Sequence, residues 1–183
     1  MPRQPLIVGL GGTARAQSTS ERALRQALDT AAALGCATRL FGGPDLPKEF
    51  FSVENPERSA YARALVEALR AADGVIVASP GYHGSVSGLV KNALDYAEDL
   101  RGDPRPYLEG RAIGLIVTAD GPQALGSTLA ALRAIAHALR GWPTPYGALI
   151  NTSANAAGPD PMVSADIVGQ QVAEFALRMA ERT

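Results

Sequence analysis

Five short apolar runs recur along the chain, and each gives way to a segment whose apolar residues repeat at helical spacing. The runs are Leu6-Ile7-Val8, residues 37–41, 74–79, 112–118 and 146–150. The first helix is expected over residues 19–34, with Leu24, Leu28, Ala31 and Leu34 on one face and Gly35 ending it. Asn55-Pro56 reads as a cap and first position for the second, with Tyr61, Leu65, Ala68, Leu69 and Ala72 as its stripe. A third is expected over residues 89–98. A fourth carries Leu125, Leu129, Leu132, Ala136 and Leu139 and stops at Gly141, and the last begins after Ser164 with Val168, Val172, Phe175 and Met179 facing inward. Wholly apolar strands are buried on both faces, and strands joined through helices pair in parallel by right-handed crossovers. The chain is therefore expected to be an α/β three-layer sandwich. Its 183 residues, 46% of them hydrophobic, suffice for one domain with a full core, covering residues 1–183.

For five strands the natural order is the flavodoxin-like 2-1-3-4-5, a parallel sheet with helices on both faces. Such a sheet binds its ligand at the carboxyl ends of strands one and three, where the winding reverses. Two loops meet at that point. The first reads Gly9-Leu10-Gly11-Gly12-Thr13-Ala14-Arg15-Ala16-Gln17-Ser18-Thr19-Ser20. The helix after it offers unpaired N–H groups and a positive dipole end, while Thr13, Ser18, Thr19 and Ser20 add hydroxyls and Arg15 a forked cation, all suited to a phosphate. No lysine follows the glycines, which argues against a nucleoside triphosphatase. Gly9, Gly11 and Ala14 also fit the loose dinucleotide pattern Gly-x-Gly-x-x-Ala. Against that, Ser18 and Glu21 form a capping-box pair that starts the helix too late, and strand two ends in Phe-Gly-Gly without a ribose-binding acid.

The second loop, Ser79-Pro80-Gly81-Tyr82-His83-Gly84-Ser85, places an aromatic ring and a nearly bare backbone where a flat ring system can lie. A flavin mononucleotide has a phosphate at one end and such a ring at the other. A third loop, Ala119-Asp120-Gly121-Pro122-Gln123, ends strand four. Phe50 and Phe51, in the long connection over residues 42–54, either tuck back onto the surface or meet a partner subunit or pocket.

Charge excludes other classes. With 17 basic and 18 acidic residues the net charge is −1, so neither nucleic acid nor an anionic membrane is expected as a partner. No apolar run approaches the ~20 residues of a membrane span, and residues 1–5 lead straight into the first strand, so a cytoplasmic protein is expected. The single cysteine, Cys36, permits no internal disulfide and reads as a buried thiol. Two separated histidines without clustered acids argue against a metal site, and His137 is expected on the surface.

The segment Thr13-Ala14-Arg15-Ala16-Gln17-Ser18-Thr19-Ser20 resembles the Ser-x-Arg-x-x-Ser-x-Asn/Ser phosphate loop of the NADPH-dependent FMN reductase family. Pro80-Gly81-Tyr82-His83-Gly84-Ser85-Val86-Ser87-Gly88-Leu89-Val90-Lys91-Asn92-Ala93-Leu94-Asp95 is similar to that family's Pro-x-Tyr-x-x-Ser-x-x-Gly-x-Leu-Lys-Asn-x-x-Asp segment. The resemblance implies that Thr13, Arg15, Ser18, Thr19 and Ser20 hold the FMN phosphate. It also implies that Pro80, Gly81, Tyr82, His83, Gly84 and Ser85 border the isoalloxazine, with Thr118, Asp120 and Gly121 of the third loop beside them. Thr13 stands where serine is usual, and the third loop is poorer in glycine than the family's.

The implied reaction is hydride transfer from NADPH or NADH to FMN and on to a small-molecule acceptor, such as a quinone or azo compound, or to a partner monooxygenase. The implied assembly is a homodimer or homotetramer. The flavin carries the hydride, so no catalytic side chain is nominated. His83 is either a solvent-facing turn residue or a donor to a quinone-like acceptor, and Lys91 and Asp95 pair either within their helix or across subunits. The competing functions are an electron carrier, disfavoured by the near-neutral charge, a dehydrogenase using the first loop as a dinucleotide turn, and a binding module without flavin.

Overall fold

A computed structural model of the protein describes residues 3–153 and 160–181. Strand β1 (Leu6–Gly11) is followed by α1 (Thr19–Ala33), β2 (Ala37–Phe41), α2 (Ala60–Ala71) and β3 (Gly74–Tyr82). A two-residue strand β4 (Ser85–Val86), α3 (Gly88–Asp95) and a 3-10 turn (Tyr96–Leu100) lead to β5 (Ala112–Ala119). Then come α4 (Pro122–Ala138), β6 (Trp142–Pro143), β7 (Ala148–Asn151) and α5 (Pro161–Ala180). The sheet runs β2-β1-β3-β5, with β6 and β7 both pairing in parallel with β5. Counted by position, this is the flavodoxin-like order 2-1-3-4-5.

Alternation along the strands makes two cores. Val8, Leu10, Val75, Val77, Leu115 and Val117 face one side and pack under α2, α3 and α4. Ile7, Ile76, Ala78 and Ile116 face the other, under α1 and α5. The α1–α5 contact is close because residue 169 is glycine: a Cβ there would stand 2.2 Å from the Ala27 carbonyl oxygen.

The structure corrects several sequence expectations. The fifth strand, expected over residues 146–150, is split into β6 and β7. Pro143 and Pro145 have no N–H for a ladder, so the edge is interrupted between them and β7. Nor is the sheet wholly parallel, since β3 continues through Pro80 and Tyr82 and turns back as a hairpin, pairing Gly81 with Val86 and Tyr82 with Ser85. His83 (φ +51°) and Gly84 (φ +88°) supply the two positive dihedrals that a tight primed turn requires.

Helix two begins at Ala60, not at Asn55-Pro56. Ser59 caps it through Ala62 N at 3.2 Å, while Asn55 Oδ1 accepts from Glu57 N in a local turn. The segment before the helix is pinned outside it by Arg58. Its guanidinium meets both oxygens of Asp99 (2.7 and 2.8 Å) and stacks over Phe51 and Tyr96. The third helix, expected to Glu98, ends at Asp95 and tightens into the 3-10 turn. The last begins at Pro161, capped by Asp160 through Met162 N at 2.9 Å, ahead of the expected Ser164. Most of the connection expected over residues 151–162 lies outside the described residues. Leu34, Tyr61 and Met179, expected to face inward, are exposed. Tyr61 lines a surface groove of about 460 Å³ with Arg39, Phe41 and Asp45.

Phe51 tucks back edge-on against Tyr96 at 5.3 Å, whereas Phe50 is 90% exposed. His137 is exposed and Cys36 is buried, as expected. No helix among the described residues is long and apolar enough to cross a membrane, and no group of three metal-ligating side chains occurs among them.

Candidate functional site

Register brings the three loops together. Gly11 lies opposite Ala78, Pro80 opposite Thr118, and Ala119 opposite Asn151, so the carboxyl ends of β1, β3, β5 and β7 open side by side. Gly12 N donates to Ala78 O at 3.0 Å, tying the first loop to the base of the hairpin. The second loop is tied down independently. Ser79 Oγ accepts from Ser87 N at 3.0 Å, and Thr128 Oγ1 on α4 donates to Ser85 O at 3.3 Å.

In the first loop Thr13 Oγ1 accepts from Arg15 N at 3.2 Å and closes a tight turn, which turns Arg15 out to solvent. The Arg15 guanidinium makes no hydrogen bond among the described residues. Ser18 caps α1, its Oγ accepting from Glu21 N at 3.3 Å and lying 3.3 Å from Ser20 Oγ; both serines are buried. The capping box is only half made. Glu21 Oε2 reaches Gln17 N at 3.2 Å, one residue before the amide that a box would satisfy. The amides of Ser18, Thr19 and Ser20 have no acceptor among the described residues and stand at the positive end of α1. Thr13, Arg15 and Thr19 remain accessible beside them, so the loop offers an anion free donors and a cation.

In the second loop, Tyr82, His83, Gly84 and Ser85 are exposed and Pro80 is buried. Gly84 has open space around it, but Gly81 is required by packing: a Cβ there would lie 2.8 Å from Thr128 Oγ1 and 3.2 Å from Ala124 O. Thr118 is buried under the third loop, and Asp120 is exposed at its tip. Gly121 (φ +111°) donates its N–H to Asn151 Oδ1 at 3.3 Å. Lys91 and Asp95 pair within α3 at 2.6 Å. Cys36 is buried just before β2, at the amino ends of the strands and away from these loops, and burial and then nearby Asp73 push its thiol up from its ordinary value.

Sequence reasoning missed four residues that shape the site. Gly43 packs directly on the first loop, a Cβ there falling 1.6 Å from Thr13 O, and Gly42 lies against Glu21. Asn151 holds both Gly121 N and Ser153 N, and Thr128 anchors the hairpin. The paired glycines after strand two were the visible signal, read only as the lack of an acid.

The profile of the NADPH-dependent FMN reductase family matches residues 5–156, a span that includes all three loops. The chain belongs to this family. Over 81 residues it is 37% identical to the FMN-dependent NADPH-azoreductase of Staphylococcus aureus (strain USA300), covering 44% of this chain and 39% of that relative. The match thus spans well under half the length of the curated relative. Solved structures agree on the fold. An NADH:FMN oxidoreductase in its apo form superposes with a TM-score of 0.75 at 24% identity, over 96% of this chain and 90% of the other. RosB with a bound riboflavin-5′-phosphate-type intermediate superposes with a TM-score of 0.77 at 16% identity, over 98% and 81%. In this FMN reductase family member, the two sequence signatures that suggested the family start at the carboxyl ends of the neighbouring strands β1 and β3.

Proposed function

We propose that the chain is a single flavodoxin-like domain, residues 1–183, that binds FMN and uses NADPH or NADH to reduce it. The electrons would go on to a quinone- or azo-type acceptor or to a partner monooxygenase. The observation that carries this reading is the set of free amides at Ser18, Thr19 and Ser20, close in sequence to Thr13 and Arg15, in the loop that leaves β1 beside β3, the strand that runs into the hairpin. In it, Thr13, Arg15, Ser18, Thr19 and Ser20 hold the phosphate. Pro80, Gly81, Tyr82, His83, Gly84 and Ser85 border the ring, with Thr118, Asp120 and Gly121 at its far edge. When bound, FMN supplies hydride acceptance and return at its N5. The protein orients the ring, excludes water from one face and offers main-chain donors to the ring oxygens.

Hydride transfer between two cofactors needs no protein acid, which fits a reading in which no side chain is given a catalytic role. A homodimer or homotetramer in the cytoplasm completes the reading, and exposed Phe50 beside the anchored Phe51 suits a subunit contact.

Arg15→Ala tests the phosphate assignment. A charge-assisted pair lost from this loop weakens FMN binding about tenfold or more and leaves riboflavin binding unchanged, as read by quenching of flavin fluorescence. The reaction itself is tested by NADPH oxidation with catalytic FMN and a quinone or azo dye. Turnover that requires protein, FMN and acceptor together is expected; a rate no higher than free FMN alone contradicts it and leaves the electron carrier.

A further inference from the structure

A carboxylate in the first turn complements the helix dipole, but it opposes any anion bound at the same helix end. Glu21 lies in the first turn of α1, is 6% exposed, and turns its carboxylate beneath the first loop. Oε2 accepts from Gln17 N at 3.2 Å and Oε1 pairs with Arg25 Nη2 at 3.2 Å. The chain makes room for this carboxylate. A Cβ at Gly42 would stand 3.1 Å from both Glu21 Cδ and Oε2, and one at Gly12 would stand 3.3 Å from Glu21 Cβ.

Gln17 is held at φ +56°, a conformation that residues other than glycine rarely adopt and that persists only where neighbours over-determine it. It immediately precedes the cap Ser18 and lies two residues after Arg15. Its dihedral therefore sets the direction in which the chain enters α1 and the aim of the amides that follow.

We propose that Glu21 is a positioning residue for the flavin phosphate: its buried carboxylate locks Gln17 in the left-handed turn, which aims the amides of Ser18, Thr19 and Ser20 at the anion and so sets the preference for FMN over riboflavin. The inference rests on the reading of this loop as a phosphate site. Glu21 does not touch the phosphate, and its charge opposes it, so its contribution is geometric. Replacing the charge while keeping the acceptor separates these two effects.

The test compares dissociation constants for FMN and riboflavin, by fluorescence quenching, in the full chain and in Glu21→Ala, Glu21→Gln and Gly42→Ala. Glu21→Ala is expected to weaken FMN about tenfold with riboflavin unchanged. Glu21→Gln keeps an oxygen for Gln17 N and removes the opposing charge, so it binds FMN at least as tightly as the parent. Gly42→Ala crowds the carboxylate by a few tenths of an ångström, so it weakens FMN in the same direction by less than Glu21→Ala, with riboflavin unchanged, and it decides the matter if Glu21→Ala does not fold. Parental FMN affinity in Glu21→Ala or Gly42→Ala overturns the proposal. So does equal loss of both flavins in Glu21→Ala, or a Glu21→Gln as weak as Glu21→Ala. If the parent itself binds no FMN, the phosphate reading falls and this inference with it; if the parent binds FMN and the variants match it, only the role of Glu21 falls.

Discussion

Alanine at position 43 weakens FMN binding about a hundredfold, the largest effect expected of any single methyl group near the site. The new Cβ would fall 1.6 Å from Thr13 O, 2.4 Å from Thr13 C and 3.2 Å from Thr13 N. Backbone stands on both sides of that contact, so no rotamer change relieves it, and the first loop must move by more than an ångström. Thr13 closes the turn that presents Arg15, so the movement is felt by both. Gly126→Ala is the matched control. Residue 126 lies on α4 with nothing beyond its own chain neighbours and helix backbone within 4 Å of its would-be Cβ, and alanine there leaves FMN binding unchanged while raising stability by about 0.5–1 kcal/mol. Fluorescence titration and thermal unfolding of the two variants check both halves. Parental FMN affinity in Gly43→Ala would mean that the loop is not the phosphate site.

Arg111→Ala carries the largest expected loss of stability, about 3–5 kcal/mol. The Arg111 side chain is among the largest fully buried in the molecule, and all its partners are main-chain carbonyls. Nε donates to Ala72 O (2.9 Å), Nη2 to Arg70 O (3.0 Å), and Nη1 to Tyr107 O (3.1 Å) and Glu109 O (3.4 Å). These bonds satisfy the carboxyl end of α2 and fix the loop before β5, at the edge opposite the candidate site. Burial, then repulsion from Arg105, pulls its pKa down to about 10, with Asp73 and Asp103 acting in the other direction. The group is therefore still a cation at neutral pH, and its truncation leaves both a cavity and orphaned carbonyls. The urea midpoint should fall with an unchanged slope, and Arg111→Met, which refills most of the volume, should recover part of the loss. FMN affinity of the folded fraction stays parental. An unfolding free energy within about 1 kcal/mol of the parent's would show that the carbonyls find water instead.

What was legible in the sequence is what one segment decides by itself. The apolar runs at 74–79 and 112–118 announced buried parallel strands, and the spacing from Leu24 to Ala31 announced the buried face of α1. Ser18 announced its cap. Misreadings arose where distant partners compete with local preference. Asn55-Pro56 is a good helix start, but Asp99 and two aromatic rings hold Arg58 outside the helix. Pro80 and Gly81 look like loop residues, yet β5 on one side and β4 on the other keep them in a strand. Glu21 was visible as half of a capping box, while its reach to Gln17 depended on space left by Gly12 and Gly42. Gly43 and Asn151 act through contacts with loops far away in sequence, and no periodicity announces such a contact. The third loop shows the same limit: Gly121 was visible as a turn residue, but the Asn151 side chain that holds its amide belongs to another strand.

The most direct test of the account is an anaerobic titration of the purified protein with FMN, followed by NADPH and, in a parallel cuvette, NADH. The absorbance of oxidised flavin is followed against protein-free controls. The account predicts saturable FMN binding and rapid bleaching of the visible band by at least one nicotinamide, at a rate far above that of free FMN. Tight binding without bleaching by either donor would contradict the reductase, and the absence of FMN binding would overturn the reading of both loops.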